Sequence, residues 1–147
     1  MFFVDTNVLV YAFDLLEPPK RLRARDLLAR LYDAGLCAIS AQVLGELYNS
    51  LTRRIQEPLL RETARDIITQ YARSWPVYDI SAAVVIEAAR GAAQHELSYW
   101  DGLIWAAAKV NGLNDIISED FSPGLVLEGV RFINPFHPQF EFSELGL

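Results

Sequence analysis

The stretch Phe2-Phe3-Val4-Asp5-Thr6-Asn7 at the start of the chain decides the fold class. Its three apolar residues are typical of a short buried strand, and the polar residues that follow favour the N-terminus of a helix. A buried strand that leads directly into a helix is the basic pattern of α/β proteins. The stretch therefore predicts an α/β fold, with the carboxylate of Asp5 at the carboxyl end of the first strand.

Further strands are predicted by four short apolar runs, at residues 36–39, 77–80, 115–118 and 130–133. These runs alternate with segments long enough to form helices of ten or more residues. Such alternation favours a mostly parallel sheet with helices on both faces. We therefore predict a three-layer α/β fold with a central, mostly parallel sheet.

The helices are predicted by apolar spacing and by residues that favour helix ends. Helical spacing predicts a helix over residues 20–32, with Leu22 among its buried residues. Pro58 suits the first turn of another helix, which we expect to end before Trp75. Three further helices have a serine in the capping position, namely Ser40, Ser81 and Ser98.

Length and composition indicate one domain. The chain has 147 residues, of which 52% are hydrophobic and 22% charged, so it can bury a sizeable core. We expect a single domain over residues 1–147, with residues 137–147 as a C-terminal tail. The only cysteine, Cys37, excludes an internal disulfide and favours a reducing, cytoplasmic setting. We expect neither a signal peptide nor a membrane anchor, because no cationic leader and no long apolar run is present.

The charge is unevenly distributed along the chain. The net charge is −6, yet residues 20–73 contain ten of the thirteen bases and only six of the nineteen acids. This asymmetry is expected of a phosphate-binding face beside an acidic site. We predict phosphate contacts for Arg21, Arg23 and Arg25. The alternative is that these arginines only solvate the exposed side of a helix.

Four carboxylates stand at positions where a site is expected. Asp5 and Asp120 each follow a predicted strand, and in a parallel sheet the carboxyl ends of strands meet at the ligand-binding edge. Asp101 lies in the first turn of a helix, in line with buried-looking positions, and Glu46 borders the apolar stripe of another helix. Each also has a structural alternative: an N-cap for Asp5, a capping box with Ser98 for Asp101, a turn for Asp120 and a solvated boundary position for Glu46.

Carboxylates brought together in this way need a cation. They repel each other, and burying them without a counter-charge is costly. An all-oxygen cluster suits Mg²⁺, or alternatively Mn²⁺. Such an ion lowers the pKa of a bound water and stabilises charge at a phosphodiester during in-line attack.

Taken together, four motifs resemble the PIN-domain ribonucleases, and among them the VapC-type toxins of toxin–antitoxin pairs. The motifs are Phe3-Val4-Asp5-Thr6-Asn7, Gly45-Glu46-Leu47, Ser98-Tyr99-Trp100-Asp101 and Ser118-Glu119-Asp120-Phe121. The end of the chain adds a fifth similarity over residues 130–136, so the resemblance covers residues 1–136.

The resemblance implies a Mg²⁺-dependent endoribonuclease with a PIN-like fold. Its catalytic, metal-holding residues would be Asp5, Glu46, Asp101 and Asp120, with Asn7 and Ser118 as supporting polar residues. Glu119 is an alternative to Asp120 as the fourth acid. The implied partners are an RNA substrate, a cognate antitoxin and a second copy of the chain in a homodimer, and the phosphate contacts predicted above would then be made to RNA.

The sequence also allows other interpretations. The chain is alternatively a catalytically silent PIN-fold module that only binds RNA or protein. His95 and His137 are candidates for metal-free acid–base cleavage, although nothing in the sequence places them together. Cys37 and Trp105 are expected in the core, whereas Tyr99 and Trp100 are candidates for stacking on bases.

Overall fold

The computed structural model describes residues 1–147 and contains six strands and six helices. The strands are β1 (Phe2–Val4), β2 (Cys37–Ser40), β3 (Val77–Tyr78), β4 (Asp115–Ile117), β5 (Val126–Leu127) and β6 (Val130–Ile133). The helices are α1 (Thr6–Tyr11), α2 (Pro18–Asp33), α3 (Ala41–Arg53), α4 (Arg61–Ser74), α5 (Ala82–His95) and α6 (Tyr99–Val110). A 3₁₀ turn at Phe142–Leu145 ends the chain. None of the helices combines the length and the apolar character needed to span a membrane.

The strands form one sheet in the order β3-β2-β1-β4-β6-β5. All neighbours are parallel except β5, which runs antiparallel to β6. The predicted α/β fold with a mostly parallel sheet is therefore confirmed. The chain moves outward from β1 on one side and from β4 on the other, so the boundary between β1 and β4 is the switch point where ligands bind in such sheets.

The serines predicted to cap helices do so. Ser40, Ser81 and Ser98 each have extended backbone and accept a hydrogen bond from the amide of the residue three positions later. Asp5 caps α1, where its Oδ1 accepts from the Thr6 amide at 2.6 Å. Each cap satisfies one amide of a first helical turn and thereby fixes where the helix begins.

Two glycines allow α5 and α6 to approach closely. A Cβ atom added at Gly91 would lie 2.2 Å from the ring of Trp105, and one at Gly102 would lie 2.9 Å from the carbonyl oxygen of Ala88. Trp105 is fully buried, as predicted, and its indole nitrogen donates to the carbonyl of Leu127 at 3.2 Å. The contact holds α6 against the β5–β6 hairpin and so positions the first turn of α6.

Three details differ from the sequence-based expectations. Leu22 is 71% exposed, because the buried side of α2 is formed by Ala24 and by leucines further along the helix. Pro58 precedes α4, which begins only at Arg61. The short strand β5 was not predicted, since two residues of a hairpin carry no periodic pattern.

The C-terminal tail is packed against the domain. Phe140 and Leu145 are buried in the same apolar core as the sheet. Arg23 on α2 holds the tail in place: its guanidinium donates to the carbonyls of Pro135 at 2.8 Å and of Phe140 at 2.6 Å. The tail therefore covers one side of α2 and leaves the switch point of the sheet open.

Candidate active site

A cleft of about 620 Å³ opens at the switch point between β1 and β4. Residues that follow the two strands form its floor, and α3 and the first turn of α6 form its walls. All four carboxylates that the sequence singled out line this cleft: Asp5, Glu46, Asp101 and Asp120. The fold thus brings together four acids that are up to 115 residues apart in the chain.

Asp5 lies at the bottom of the cleft and is only 5% exposed. Its Oδ2 accepts hydrogen bonds from Ser118 Oγ at 2.7 Å and from Asn7 Nδ2 at 3.2 Å. The pKa of Asp5 is raised to about 7, chiefly by burial and also by the charges of Asp120 and Glu46, against the lowering effect of hydrogen bonds from Ser118 and Thr6. Asp5 is therefore a buried acid whose negative charge lacks a cationic partner.

Asn7 and Ser118 connect the floor of the cleft. The Asn7 amide nitrogen donates to Asp120 Oδ2 at 2.9 Å as well as to Asp5, and its oxygen accepts from the Glu119 amide at 3.4 Å. Ser118 Oγ also accepts from the Asp120 amide at 3.1 Å. Both predicted supporting residues thus lie between Asp5 and Asp120 and hold these two carboxylates at a fixed spacing.

Glu46 is held by two residues that the sequence analysis did not single out. Thr6 Oγ1 donates to Glu46 Oε2 at 2.6 Å, and Gln42 Nε2 donates to Glu46 Oε1 at 2.9 Å. Gln42 is four residues before Glu46 on α3, and this spacing is a signal that was available in the sequence. Thr6 acts across 40 residues, so only the fold places it beside Glu46.

Asp101 forms one of the two hydrogen bonds of the capping box with Ser98 that was its structural alternative. Its amide donates to Ser98 Oγ at 3.1 Å, while its carboxylate lines the cleft. The preceding residue, Trp100, also lines the cleft with 61% of its surface exposed. The first turn of α6 thus brings an acid and an exposed aromatic ring to the same wall.

The structure separates the two acids that compete for the fourth position. Glu119 accepts hydrogen bonds from Lys20 Nζ and from the hydroxyl of Tyr11, each at 2.5 Å. It does not belong to the cleft lining, whereas Asp120 does. Because a lysine neutralises Glu119, Asp120 is the acid of this pair that leaves its charge in the cleft.

The donor set of the cleft fits a hard divalent cation. Every charged group on the floor is a carboxylate. The side chains that donate hydrogen bonds to these carboxylates are Thr, Asn, Gln and Ser rather than Lys or Arg. No three acidic, His or Cys side chains converge at metal-binding distance. The oxygen chemistry of the lining, rather than the spacing of the acids, is what suits Mg²⁺, which binds through one or two carboxylates and keeps several waters.

The three arginines predicted to contact phosphates differ in their surroundings. Arg23 is occupied by the C-terminal tail, and its guanidinium also lies 5.1 Å from the ring centre of Phe140. The structure therefore gives Arg23 a role in holding the C-terminal tail, which differs from both the phosphate contact and the solvation considered from the sequence. Arg25 donates to the carbonyl of Ala12 at 2.9 Å, and both Arg21 and Arg25 line a second cavity next to the cleft.

The remaining candidates lie away from the cleft. His95 is bonded to Glu128 at 2.7 Å, and His137 lies in a separate cavity beside the tail. Cys37 is buried in β2, as predicted, and burial raises the pKa of its thiol to about 11. These positions give no support to acid–base cleavage by the two histidines or to a nucleophilic cysteine.

Comparison with known families now identifies the domain. The family model described as PIN domain matches residues 2–122. The chain belongs to the PIN-domain family. The match includes all four carboxylates of the cleft, and it ends before β5, β6 and the tail. A comparison with curated proteins finds no match to this PIN domain.

Solved structures share the fold over most of this PIN domain. A toxin–antitoxin complex from Klebsiella pneumoniae has a chain with a TM-score of 0.67 and 17% identity, over 92% of this chain and 98% of that one. VapBC2 from Rickettsia felis, bound to a DNA fragment from its promoter, has a TM-score of 0.64 and 17% identity, over 89% and 96%. VapC20 from Mycobacterium tuberculosis, a toxin that cleaves the sarcin–ricin loop, has a TM-score of 0.64 and 22% identity, over 89% and 99%. At these identities the likeness is one of fold.

Proposed function

We propose that this PIN domain is a metal-dependent endoribonuclease and the toxin of a toxin–antitoxin pair. The observation that carries the proposal is the set of four carboxylates around one cleft, none of which forms a salt bridge with a lysine or arginine of the chain. Such a set is costly to maintain unless a cation binds it. The same carboxylates stand in the motifs that resemble the VapC-type toxins.

Mg²⁺, or Mn²⁺ in its place, would be held by Asp5, Glu46, Asp101 and Asp120. The ion supplies a water of lowered pKa and neutralises negative charge that develops on the phosphodiester. This chemistry suits hydrolysis of RNA, and the family resemblance implies products with a 5′-phosphate and a 3′-hydroxyl.

The protein's own part in the reaction is to fix the carboxylates before substrate arrives. Asn7 and Ser118 hold Asp5 and Asp120 at one spacing. Thr6 and Gln42 orient Glu46 by a hydrogen bond to each of its oxygens. Groups that are already oriented do not have to be ordered during the reaction, which lowers the barrier.

The substrate proposal extends to the walls of the cleft. Trp100 presents an exposed indole beside Asp101, where a base next to the scissile phosphate would stack on it. Such stacking favours single-stranded or looped RNA, because the bases of a regular duplex are not available for it. The sarcin–ricin loop, which one structural neighbour cleaves, is a test substrate of this kind.

The partner proposal follows from the same charges. An antitoxin helix that places an arginine among the four carboxylates would form bidentate ion pairs there and compete with the metal ion. We also propose a homodimer acting in the cytoplasm. Light scattering of the purified protein measures whether it is a dimer, and fractionation of cells that express it tests the cytoplasmic location.

The central experiment measures cleavage of RNA with and without the metal. Purified protein is expected to cut a single-stranded RNA and a sarcin–ricin loop RNA with Mg²⁺ or Mn²⁺, and to stop in EDTA. Asp101→Asn is expected to abolish cutting, because it removes a metal ligand. The matched control is Asp115→Asn on β4, since Asp115 pairs with Arg131 outside the cleft and its loss should leave cleavage intact.

Two results would contradict the proposal. Equal cleavage in EDTA excludes the metal mechanism, and absence of any cleavage favours the silent binding module. Co-expression with the candidate antitoxin tests the biological role separately. If the chain alone is harmless to cells and the partner leaves cleavage unaltered, the toxin assignment is wrong even where the nuclease assignment holds.

A further inference from the structure

The wall of the cleft continues beyond the carboxylates along α3. Gln42, Glu46 and Asn49 line the cleft with the spacing of one helix face, and Arg54, the residue that follows the last turn of α3, lines it as well. Arg54 is eight residues beyond Glu46, a distance of about 12 Å along the helix. The cleft therefore has an acidic floor near the start of α3 and a cationic end where α3 stops.

A second cavity of about 210 Å³ adjoins this cationic end. Both cavities have Ile55 in their lining, so the residue directly after Arg54 is the boundary between them. The second cavity contains two arginines from α2, Arg21 and Arg25. The rest of its lining is mainly apolar with two polar side chains, namely Phe13, Leu15, Leu59, Gln56 and Glu57.

Arg21 and Arg54 have no acidic side chain as a salt-bridge partner within the protein. Arg21 Nε is buried and has no hydrogen bond, and neither Arg21 nor Arg54 forms a salt bridge although Glu57 and Asp14 line the same cavities. A buried donor without an acceptor is costly, so a side-chain movement that brings Arg21 to an acceptor on a ligand would be favourable. Arg25 differs, because its bond to the Ala12 carbonyl holds the guanidinium in place.

We propose that Arg54, Arg21 and Arg25 form a phosphate track that guides one RNA strand from the cleft over Ile55 into the second cavity. This inference rests on the proposed ribonuclease function. The guanidinium groups bind phosphates on one side of the cleavage point, and the apolar lining of the second cavity receives the face of a base. At about 3.4 Å of rise per stacked nucleotide, Arg54 lies roughly three to four nucleotides from Glu46.

RNA fits this track better than an acidic protein segment does. The track begins inside the same cleft as the carboxylates, where a scissile phosphate has to lie, and it leads away from them past Ile55 into the second cavity. A strand bound at the cleft is therefore carried toward further cations. Arginine forks match phosphate geometry, and they offset the repulsion between the strand and the four acids.

The experiment measures RNA binding as a function of salt in variants of the track. All variants carry Asp5→Asn to prevent cutting, and the probe is a fluorescently labelled, single-stranded RNA of mixed sequence in Mg²⁺. Arg54→Gln and Arg21→Gln are each expected to weaken binding about tenfold. Each should also reduce the slope of log K against log salt by about 0.7, the value for one phosphate contact on a single strand.

Arg53→Gln is the matched control. Arg53 is exposed and adjacent to Arg54, yet it lines neither cavity, so its loss changes net charge equally without removing a track residue. Its salt slope and affinity are expected to equal those of the parent. Thermal unfolding of each variant ensures that a loss of binding reflects the missing contact in a folded protein.

Several outcomes would overturn the track. Unchanged slopes in Arg54→Gln and Arg21→Gln, equal losses in Arg53→Gln, or no RNA binding by the parent each exclude it. Unchanged slopes combined with weakened binding of the co-expressed antitoxin would assign the surface to a protein partner instead. Failure of the wild-type protein to cleave RNA, with the expected slopes retained, would refute the ribonuclease function and leave the track standing.

Discussion

Acidic side chains gather in two regions of this PIN domain, and their surroundings are opposite. In the cleft, Asp5 is buried beside other carboxylates and its pKa is raised to about 7. Beside the last turn of α6, Glu128 lies among cations, and hydrogen bonds from Lys109, His95 and Arg90 lower its pKa to about 2. We call this second region the paired network; its members are Glu87, Arg90, His95, Lys109 and Glu128.

The difference shows how the same residue type is neutralised within the protein in one place and left without a cation in the other. Glu87 and Glu128 are each bonded to both Arg90 and Lys109, so their charges are neutralised within the protein. The network ties α5, α6 and the turn between β5 and β6 together. In the cleft, the carboxylates of Asp5, Glu46 and Asp120 are held by neutral donors only, which fixes their positions and leaves their charge available to a cation.

The largest expected effect comes from removing one charge in each region. Asp5→Asn should reduce cleavage more than about 100-fold, since losses of that size already follow changes to groups behind the metal ligands. Its melting temperature should stay the same or rise, because a buried negative charge is removed. Glu128→Gln should cleave RNA normally and melt at a lower temperature. Cleavage assays and thermal unfolding of the two variants measure both effects.

The comparison would fail if the two variants exchanged their effects. A normally active Asp5→Asn, or an inactive Glu128→Gln, would mean that the unpaired charges of the cleft are not the functional ones.

An intermediate effect is expected from disturbing Trp105, the ring on which two cations of the paired network lie. Arg90 and Lys109 lie over the ring of Trp105, at 5.5 and 4.8 Å from its centre. Gly91→Ala would place a methyl group 2.2 Å from that ring and should lower the free energy of unfolding by about 1–3 kcal/mol. Urea denaturation measures the change.

Gly45→Ala is the control for this substitution. Gly45 is also inside a helix, but nothing lies within 4 Å of an added Cβ, so alanine should stabilise the protein by about 0.5–1 kcal/mol. A Gly91→Ala protein as stable as wild type would show that α5 and α6 can separate without cost.

The smallest effect is the pH dependence of the paired network. The pKa of Glu87 is lowered to about 2 by hydrogen bonds from Arg90 and Lys109, and that of Glu128 is lowered to a similar value. Their stabilisation is therefore fully present above the ordinary pKa near 4.5 and is lost as the pH falls toward 2.

Melting curves between pH 6 and pH 2 should show a shallower loss for Glu128→Gln than for wild type. The difference should be only a few degrees and should shrink in high salt, because the pairs are solvent-exposed. Parallel curves for the two proteins would mean that the network adds no stability.

Much of the fold was predictable from local signals. The apolar run before Asp5, the capping serines and the alternation of strands with helices depend on neighbouring residues, so the sequence displays them directly. The burial of Leu22 and the placing of Pro58 in the first turn of a helix were wrong predictions, because apolar spacing and proline only make such an arrangement more favourable. Whether another element covers that position depends on the packing of the whole chain.

The candidate site was predictable in its acids but not in its surroundings. Asp5, Glu46, Asp101 and Asp120 stand in motifs, and strand ends converge at one edge of a parallel sheet. Thr6 beside Glu46, Lys20 beside Glu119 and Arg23 beneath the tail are contacts between distant segments. No local pattern encodes such contacts, so their roles required the structure.

The sequence by itself determined an α/β domain whose four motifs resemble those of PIN domains, since element type and motif order are written along the chain. Only the tertiary structure decided which acids keep their charge. Glu119 and Asp120 are neighbours of similar chemistry, yet Lys20 neutralises Glu119, which also accepts from Tyr11, while Asn7 and Ser118 hold Asp120 in the cleft. The physical reason is that a carboxylate's charge depends on the donors within a few ångströms, and folding alone brings those donors into place.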